Sequence, residues 1–428
     1  MAAYFVDALR SEHSTGAWRS FANAQDGARA TVTYAFMTRM PDTISAILGD
    51  PWSSFRPLDA GARTLVREAM DLISAVANVR FVETAQSAAP PLLVGSYDMG
   101  GDTAGLANYP FTRPGDPASL AIGELWLDVR DGVDSLAVIL HELGHTLGLK
   151  HPHEGDRQLP EAEDRHANTV MSYDWSTDPK DLMLFDAIAL QSIYGPARRR
   201  RGDDTYDLGE DKLIWDGGGH DTIDAGDAAR GVRLSLDDGS WSSIGARASS
   251  LLARGQVWLG DFSVIEDARG SRFDDRLAGN AADNRISGGS GADRIDGGGG
   301  ADDLSGGRGA DSLSGGAGDD RLRGGPAADL LRGGAGADTF VYARADESGR
   351  GGNRDVILAL NDTDRIDLSA LDVAFLGEGA FSGAGGEARV DARADRALLL
   401  LDLDGDRRAE FQVEVRGVAD LLADDLIL

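Results

Sequence analysis

The chain has 428 residues, enough for two or three domains, and it contains no cysteine, which excludes disulfides and thiolate metal sites. Its 71 acidic residues outweigh 42 basic ones, for a formal charge of −29. That balance argues against nucleic acid and anionic membranes as partners and favours calcium, a hard cation that prefers oxygen ligands.

The opening residues, Met1-Ala2-Ala3-Tyr4-Phe5-Val6-Asp7-Ala8, lack a basic region followed by a long apolar core. A Sec-type signal peptide is therefore not expected there, and no apolar run approaches the ~18 residues of a membrane span. The chain is either cytosolic or exported by another route. Thr31–Met37 alternates and is β-rich, which predicts a strand. Between Leu58 and Val76, apolar Leu65, Val66, Ala69, Leu72, Ile73 and Val76 fall at helical spacing. Val79–Val82 and Leu92–Tyr97 predict strands. Ile122–Leu127 predicts another, read as an edge strand that either receives an extended peptide or is an ordinary edge. Ser135–Leu147 predicts a helix with Asp134 or Ser135 as N-cap, and Leu184–Tyr194 a further helix ending at Gly195-Pro196.

The stretch His141-Glu142-Leu143-Gly144-His145-Thr146-Leu147-Gly148-Leu149-Lys150-His151 carries the chemistry. Two histidines four apart stand one turn above each other on a helix face. Gly148 permits a left-handed helix end, after which His151 can supply a third nitrogen. Three nitrogens leave one position of a zinc ion open, the catalytic arrangement. Glu142 can take a proton from water at that position. The pattern H-E-x-x-H-x-x-G-x-x-H matches the metzincin signature, which is followed by a Met-turn. Thr169-Val170-Met171-Ser172-Tyr173 resembles that turn, implying Met171 as an apolar floor and Tyr173 as a residue that reaches the metal. His153 and His166 are read as exposed loop residues. Arg198–Arg201 is read as a solvated linker.

From Gly288 the chain repeats every nine residues as G-G-x-G-x-D-x-U-x, where U is a large apolar residue: GGSGADRID, GGGGADDLS, GGRGADSLS, GGAGDDRLR, GGPAADLLR and GGAGADTFV. Constant spacing of Ile295, Leu304, Leu313, Leu322, Leu331 and Phe340 is not linker behaviour and predicts a solenoid. With two units per coil, Asp293, Asp311 and Asp329 line one edge, and Asp302, Asp320 and Asp338 the other. Coils ~4.8 Å apart would set carboxylates repelling by roughly 0.9 kcal/mol per pair in bulk water. Calcium between turns converts this to attraction, so the segment is expected to fold only where calcium is abundant. Pro326 and Ala327 break the pattern, so calcium at that turn is expected to be weak or missing. Asn280–Ser287, with Asp283, looks like a degraded unit.

The two motif sets together resemble the serralysin family, secreted zinc metalloproteases of the metzincin clan with calcium-binding RTX repeats. Gly16-Ala17-Trp18 with Thr31–Phe36, the helix Leu184–Gly195, and the segments Ala337–Tyr342 and Asp364–Ser369 carry the likeness further. The resemblance implies a multidomain chain: an α+β (α/β) metzincin protease domain over 1–195, then an all-β parallel β-roll with a C-terminal secretion signal over 196–428. It implies one catalytic Zn2+ on His141, His145 and His151, with Glu142 and Tyr173 catalytic, and several structural Ca2+. Calcium positions ahead of the repeats would be Arg201, Asp203, Thr205, Asp216, Gly218, Gly219, Asp221, Val264 and Glu266. Asp402-Leu403-Asp404-Gly405-Asp406 reads equally as a calcium loop or a polar hairpin turn. The tail Asp424–Leu428 is similar to the family's uncleaved signal for ABC-type (type I) export. Protein or peptide substrates, a monomer and an extracellular location follow as expectations. The rival readings are a secreted calcium-dependent binding or adhesive protein with a vestigial metal site, and an intracellular calcium buffer.

Overall fold

The computed structural model describes residues 4–11, 29–40, 54–88, 91–100, 103–108, 123–174, 176–197, 202–209, 211–418 and 420–428. The Gly16–Trp18 match and the Arg198–Arg201 run, with Arg201 as an expected calcium ligand, lie outside the described residues. The chain divides into two units, 1–199 with 260–262, and 200–259 with 263–428.

The first unit is α/β. It begins with α1 (Tyr4–Leu9). Strands β1 (Ala30–Phe36), β2 (Val79–Glu83), β3 (Leu92–Tyr97), β4 (Gly105–Asn108) and β5 (Gly123–Asp128) form one sheet, ordered β2-β1-β3-β5-β4. The first four neighbours are parallel, and β4 closes the sheet antiparallel to β5. The expected edge strand is therefore corrected. β5 is interior and almost wholly buried, and β4 is the edge among the described residues. A short apolar run reads the same whether one or both of its sides are paired, so the sequence could not place it.

Helix α2 (Ala60–Val76) starts at Asp59, whose carboxylate accepts from the Ala62 amide at 2.8 Å, and buries Ala62, Val66, Ala69, Met70 and Ile73 along one stripe. Helix α3 (Leu136–Thr146) is buried on every side and packs on α2, β4 and β5. Helix α4 (Leu184–Tyr194) ends at Gly195, whose φ is 78°. Phe5 of α1 stacks on Phe185 at 4.9 Å, so α1 and α4 share one core.

The second unit is mostly β, with two large sheets of 13 and 9 strands among the described residues. The repeats form β6 (Arg285–Ser290), β7 (Arg294–Gly299), β8 (Asp303–Arg308), β9 (Ser312–Ala317), β10 (Arg321–Arg323) and β11 (Leu330–Ala335). Alternate strands pair in parallel with a register of eighteen residues: Ile286 with Leu304, then Leu322, and Ile295 with Leu313, then Leu331. Two nine-residue units thus make one coil, and every U side chain is buried in the shared core. The fourth position of the five intact units, Gly291, Gly300, Gly309, Gly318 and Gly336, has φ between 101° and 133°. Ala327 holds the same position at φ 119°, a conformation that Cβ resists. Its preceding strand, β10, shrinks to three residues where the other five have six. After the repeats an antiparallel meander, Glu387–Arg393, Arg396–Asp402 and Phe411–Arg416, continues the larger sheet.

Candidate metal centres

Helix α3 is capped by Ser135, whose hydroxyl accepts from the Val138 amide at 3.3 Å. It carries His141 and His145 inward with ring centroids 4.8 Å apart. Gly148, at φ 99°, turns the chain back. His151 then returns, with its Nε2 3.2 Å from His141 Nε2 and 3.0 Å from His145 Nε2. Each Nδ1 faces an acceptor: Val170 O at 2.7 Å, Leu149 O at 3.0 Å and Glu154 Oε1 at 2.7 Å for His141, His145 and His151 in turn. Neutral rings donating at Nδ1 aim three Nε2 lone pairs at one point. Tetrahedral zinc with Zn–N of ~2.0–2.1 Å needs nitrogens about 3.3 Å apart, close to what is found. Burial, reinforced by neighbouring imidazoles, pushes His141 down to about 3 and His145 to about 4, which keeps both neutral as ligands must be. The donor set fits zinc.

Glu142 is 6% exposed. Burial pushes its carboxyl up to about 8, opposed by a hydrogen bond from the Ala107 amide. The side chain lies against the edge strand β4: a Cβ on Gly105 would sit 2.7 Å from Glu142 Oε1. Gly105 thus makes room for the carboxylate, a relation between residues 37 positions apart that no local pattern announces. Met171 is fully buried, and a Cβ on Gly144 would meet its sulfur at 2.6 Å. The glycine inside α3 is therefore what lets the methionine pass beneath the histidines. Tyr173 is exposed and faces His151 and His141, with centroids at 4.4 and 5.8 Å. Glu154, which sequence reasoning passed over, orients the third histidine; a carboxylate three residues after a candidate ligand was the available signal.

His153 is on the surface, 3.4 Å from Asp164, and stacks on His151 at 5.3 Å. His166 corrects the expectation of an exposed residue. It is 1% exposed, with Nδ1 3.1 Å from Thr177 O.

In the second unit the aspartates form the two expected columns. Each Oδ1 accepts from the backbone amide one coil earlier: Asp293 N to Asp311, Asp311 N to Asp329, Asp302 N to Asp320 and Asp320 N to Asp338, at 2.8–3.0 Å. The other oxygen, Oδ2, of all six is buried without a hydrogen-bond partner. A Cβ on Gly288 would fall 2.4 Å from Asp293 Oδ2 and 2.6 Å from the Gly306 carbonyl, so the bare glycine leaves room between them. Burial pushes Asp293, Asp311 and Asp329 up to about 7 and Asp302 and Asp338 to about 6, and raises Asp320; backbone donors oppose the shift and neighbouring carboxylates add to it. Orphaned carboxylate oxygens near backbone carbonyls are what a calcium ion needs. The columns also run on past the repeats. Asp329 N reaches Asp355 and Asp338 N reaches Asp364, at 2.9 and 3.0 Å. These steps span 26 residues, which hid both aspartates from a period of eighteen.

Ahead of the repeats, Asp216 and Asp221 meet Asp204 rather than its expected neighbour Asp203, with carboxylate oxygens of the three within 4.8 Å of one another. Asp221 Oδ2 is buried and unpartnered, and Glu266 accepts from the Asp221 amide at 2.8 Å. Asp203 instead accepts from His220 N at 3.0 Å. Gly218 and Gly219 have φ of 115° and 157°, Thr205 begins a short strand, and Val264 is exposed. The Asp402–Asp406 loop joins two antiparallel strands, and both Asp402 oxygens accept from its own backbone, Gly405 N and Arg407 N, at 2.8 and 2.9 Å; it also gathers carboxylate oxygens of Asp402, Asp404, Asp406 and Glu410 within 4.8 Å of one another, so it has features of both the hairpin turn and the calcium loop.

The chain is 30% identical over 294 residues to "Serralysin" of Photorhabdus sp. (strain Az29), covering 58% of this chain and 57% of that one. It is 29% identical over 301 residues to "Metalloprotease AprA" of Pseudomonas entomophila (strain L48), covering 59% of each. With "Serralysin C" of Dickeya chrysanthemi it is 36% identical over 332 residues, covering 68% of this chain and 62% of that one. The chain thus spans less than two thirds of each of these relatives. A solution structure of the AlgE6R3 subunit of an Azotobacter vinelandii mannuronan C5-epimerase matches 36% of this chain and 78% of that one, at 34% identity and a TM-score of 0.25. The family model described as peptidase M10 serralysin C terminal matches residues 203–428, just over half of the chain. On that match, the chain belongs to the serralysin family.

Proposed function

We propose that this chain is a zinc endopeptidase that acts outside the cell and is stabilised by calcium. The observation that carries the reading is the convergence of three imidazoles, with His151 Nε2 3.2 Å from His141 Nε2 and 3.0 Å from His145 Nε2. These residues would hold the zinc. When bound there, zinc would polarise a peptide carbonyl and lower the pKa of a water molecule.

The chain's own groups do the rest. Burial alone favours the protonated form of Glu142, and a cation on the three histidines would favour the ionised one; ionised, Glu142 takes the proton of the attacking water onto its carboxylate and passes it to the nitrogen of the leaving amine. Its buried position beside β4 keeps that carboxylate out of bulk solvent. The tyrosyl hydroxyl of Tyr173, on the exposed rim of the histidine cluster, donates to the oxyanion as the carbonyl is attacked; such a donor contributes about 3 kcal/mol. β4 offers edge amides and carbonyls to an extended peptide, and its register places Ala107 next to Glu142. This geometry supports protein and peptide substrates. Among the described residues, no helix is long and apolar enough to cross a membrane. The calcium columns suit a compartment where that ion is at ~10⁻⁴–10⁻³ M, which supports an extracellular site of action and family-type export.

Casein zymography of the whole chain, with and without a zinc chelator, tests the proposal. Clearing that the chelator abolishes and zinc restores is the expected result. Clearing that survives complete zinc removal, or none at any metal loading, would refute it.

A further inference from the structure

Beneath the histidines, Asp186 is completely buried on α4. Its Oδ1 accepts from the Thr169 hydroxyl at 2.5 Å, and its Oδ2 accepts from the Val170 amide at 2.8 Å and the Met183 amide at 3.1 Å. The last contact is the ordinary work of an acidic residue in the first turn of a helix. The other two are not, because they reach seventeen and sixteen residues back to the turn that carries Met171. The peptide between Val170 and Met171 is used from both ends. Its carbonyl, on Val170, accepts from His141 Nδ1 at 2.7 Å. Its N–H, on Met171, donates at 3.1 Å to the Thr169 hydroxyl, which itself donates to Asp186, so one carboxylate braces three consecutive residues of the turn. Thr169, Val170 and Met171 are all fully buried, which excludes water as a substitute partner.

We propose that Asp186 is a positioning residue for the zinc site, acting on His141 through the Thr169 hydroxyl and the Val170–Met171 peptide; this rests on the zinc reading above. A hydroxyl that donates to a carboxylate is a stronger acceptor, and on the N–H side of a peptide it increases the negative charge on that peptide's carbonyl oxygen. That oxygen holds the Nδ1 proton of His141 more firmly and makes Nε2 a better donor to a metal. The arrangement is a carboxylate–histidine pair with one hydroxyl and one peptide inserted between its members. It differs from the pairing at His151, where Glu154 meets the ring directly.

The test uses the full chain in calcium. Zinc affinity would be measured by competition with a chromophoric chelator, and cobalt visible spectra recorded, for the unsubstituted chain, Asp186→Asn and Thr169→Val. Asp186→Asn is nearly isosteric and can keep both bonds made by Oδ2 while removing the charge. It should weaken zinc binding about 10-fold or more and shift the cobalt bands, with the zinc-free melting temperature little changed. Thr169→Val keeps the carboxylate but removes the hydroxyl that links it to the peptide, and should weaken zinc by a comparable factor; it carries the test if Asp186→Asn fails to fold. Zinc affinity within twofold of the unsubstituted chain and an unshifted cobalt spectrum would overturn the proposal. A loss of affinity matched by an equal loss of zinc-free stability would also overturn it, leaving a packing role. An unsubstituted chain that binds no zinc would sink the zinc reading itself, a result distinguishable from either.

Discussion

The two units bury polar metal-binding groups in opposite ways. In the first, the donors are imidazoles that burial drives neutral, toward pKa values of about 3 and 4 at His141 and His145. A neutral ring is cheap to bury once its Nδ1 has an acceptor, so the site can stand before any ion arrives. In the second, the donors are carboxylates that burial drives toward about 6 to 7. At neutral pH these must either ionise without a partner or stay protonated, and both oppose folding. The lesson is that the histidine site is preorganised by protein contacts, whereas the orphaned oxygens of the aspartate columns call for a cation or a proton.

The sharpest way to break this contrast is Glu142→Ala. It removes the proton acceptor but none of the three nitrogens, so casein hydrolysis should fall about 10²–10⁴-fold while bound zinc stays near one per chain. A variant that cleaves casein at the original rate would remove Glu142 from the mechanism.

Calcium removal comes next. With a chelator at pH 8, far-ultraviolet circular dichroism should lose most of the β signal of the second unit, while zinc removal should leave the first unit folded. Acid should partly replace calcium. The raised carboxyls bind protons more readily in the ion-free fold than in the unfolded chain, whose ordinary value is 3.8. Their stabilisation is therefore full below about pH 4 and is lost as pH rises through 6 to 7. Lowering the pH from 8 to 5 in chelator should restore β content. Equal β content with and without calcium at pH 8 would contradict the account.

Gly105→Ala probes the fit between β4 and the site. The added Cβ would lie 2.6–2.9 Å from atoms of the Glu142 side chain, so the carboxylate must shift. Hydrolysis should drop about 10-fold with zinc content unchanged; loss of zinc instead would mean the histidines moved as well. The smallest effect is expected at Ala327→Gly, which relieves a φ of 119°. It should stabilise the roll by about 1 kcal/mol and lower the calcium midpoint slightly. A destabilised variant would show that the alanine conformation carries no strain.

What the sequence made legible follows from locality. The histidine spacing is set by one helical turn and one glycine reversal, so His141, His145 and His151 could be read directly. The coil period is likewise local, and nine-residue units gave the eighteen-residue register and both aspartate columns. Contacts that cross the fold were not legible. Gly105 approaches Glu142 only because β4 folds back antiparallel on β5, and that same pairing moved the sheet edge away from Ile122–Leu127. Asp355 and Asp364 join the columns across excursions that break the period. His166 is buried by the loop around Thr177, and Asp204 displaces Asp203 by a one-residue change in facing that composition does not reveal.

The central claim is that three imidazoles of the first unit share one zinc ion. X-ray absorption at the zinc edge, on the full chain loaded with one equivalent of zinc, tests it most directly. The account predicts three imidazole nitrogens at ~2.0–2.1 Å and one further light ligand. A first shell made only of oxygens, or one with fewer than three imidazoles, would contradict it.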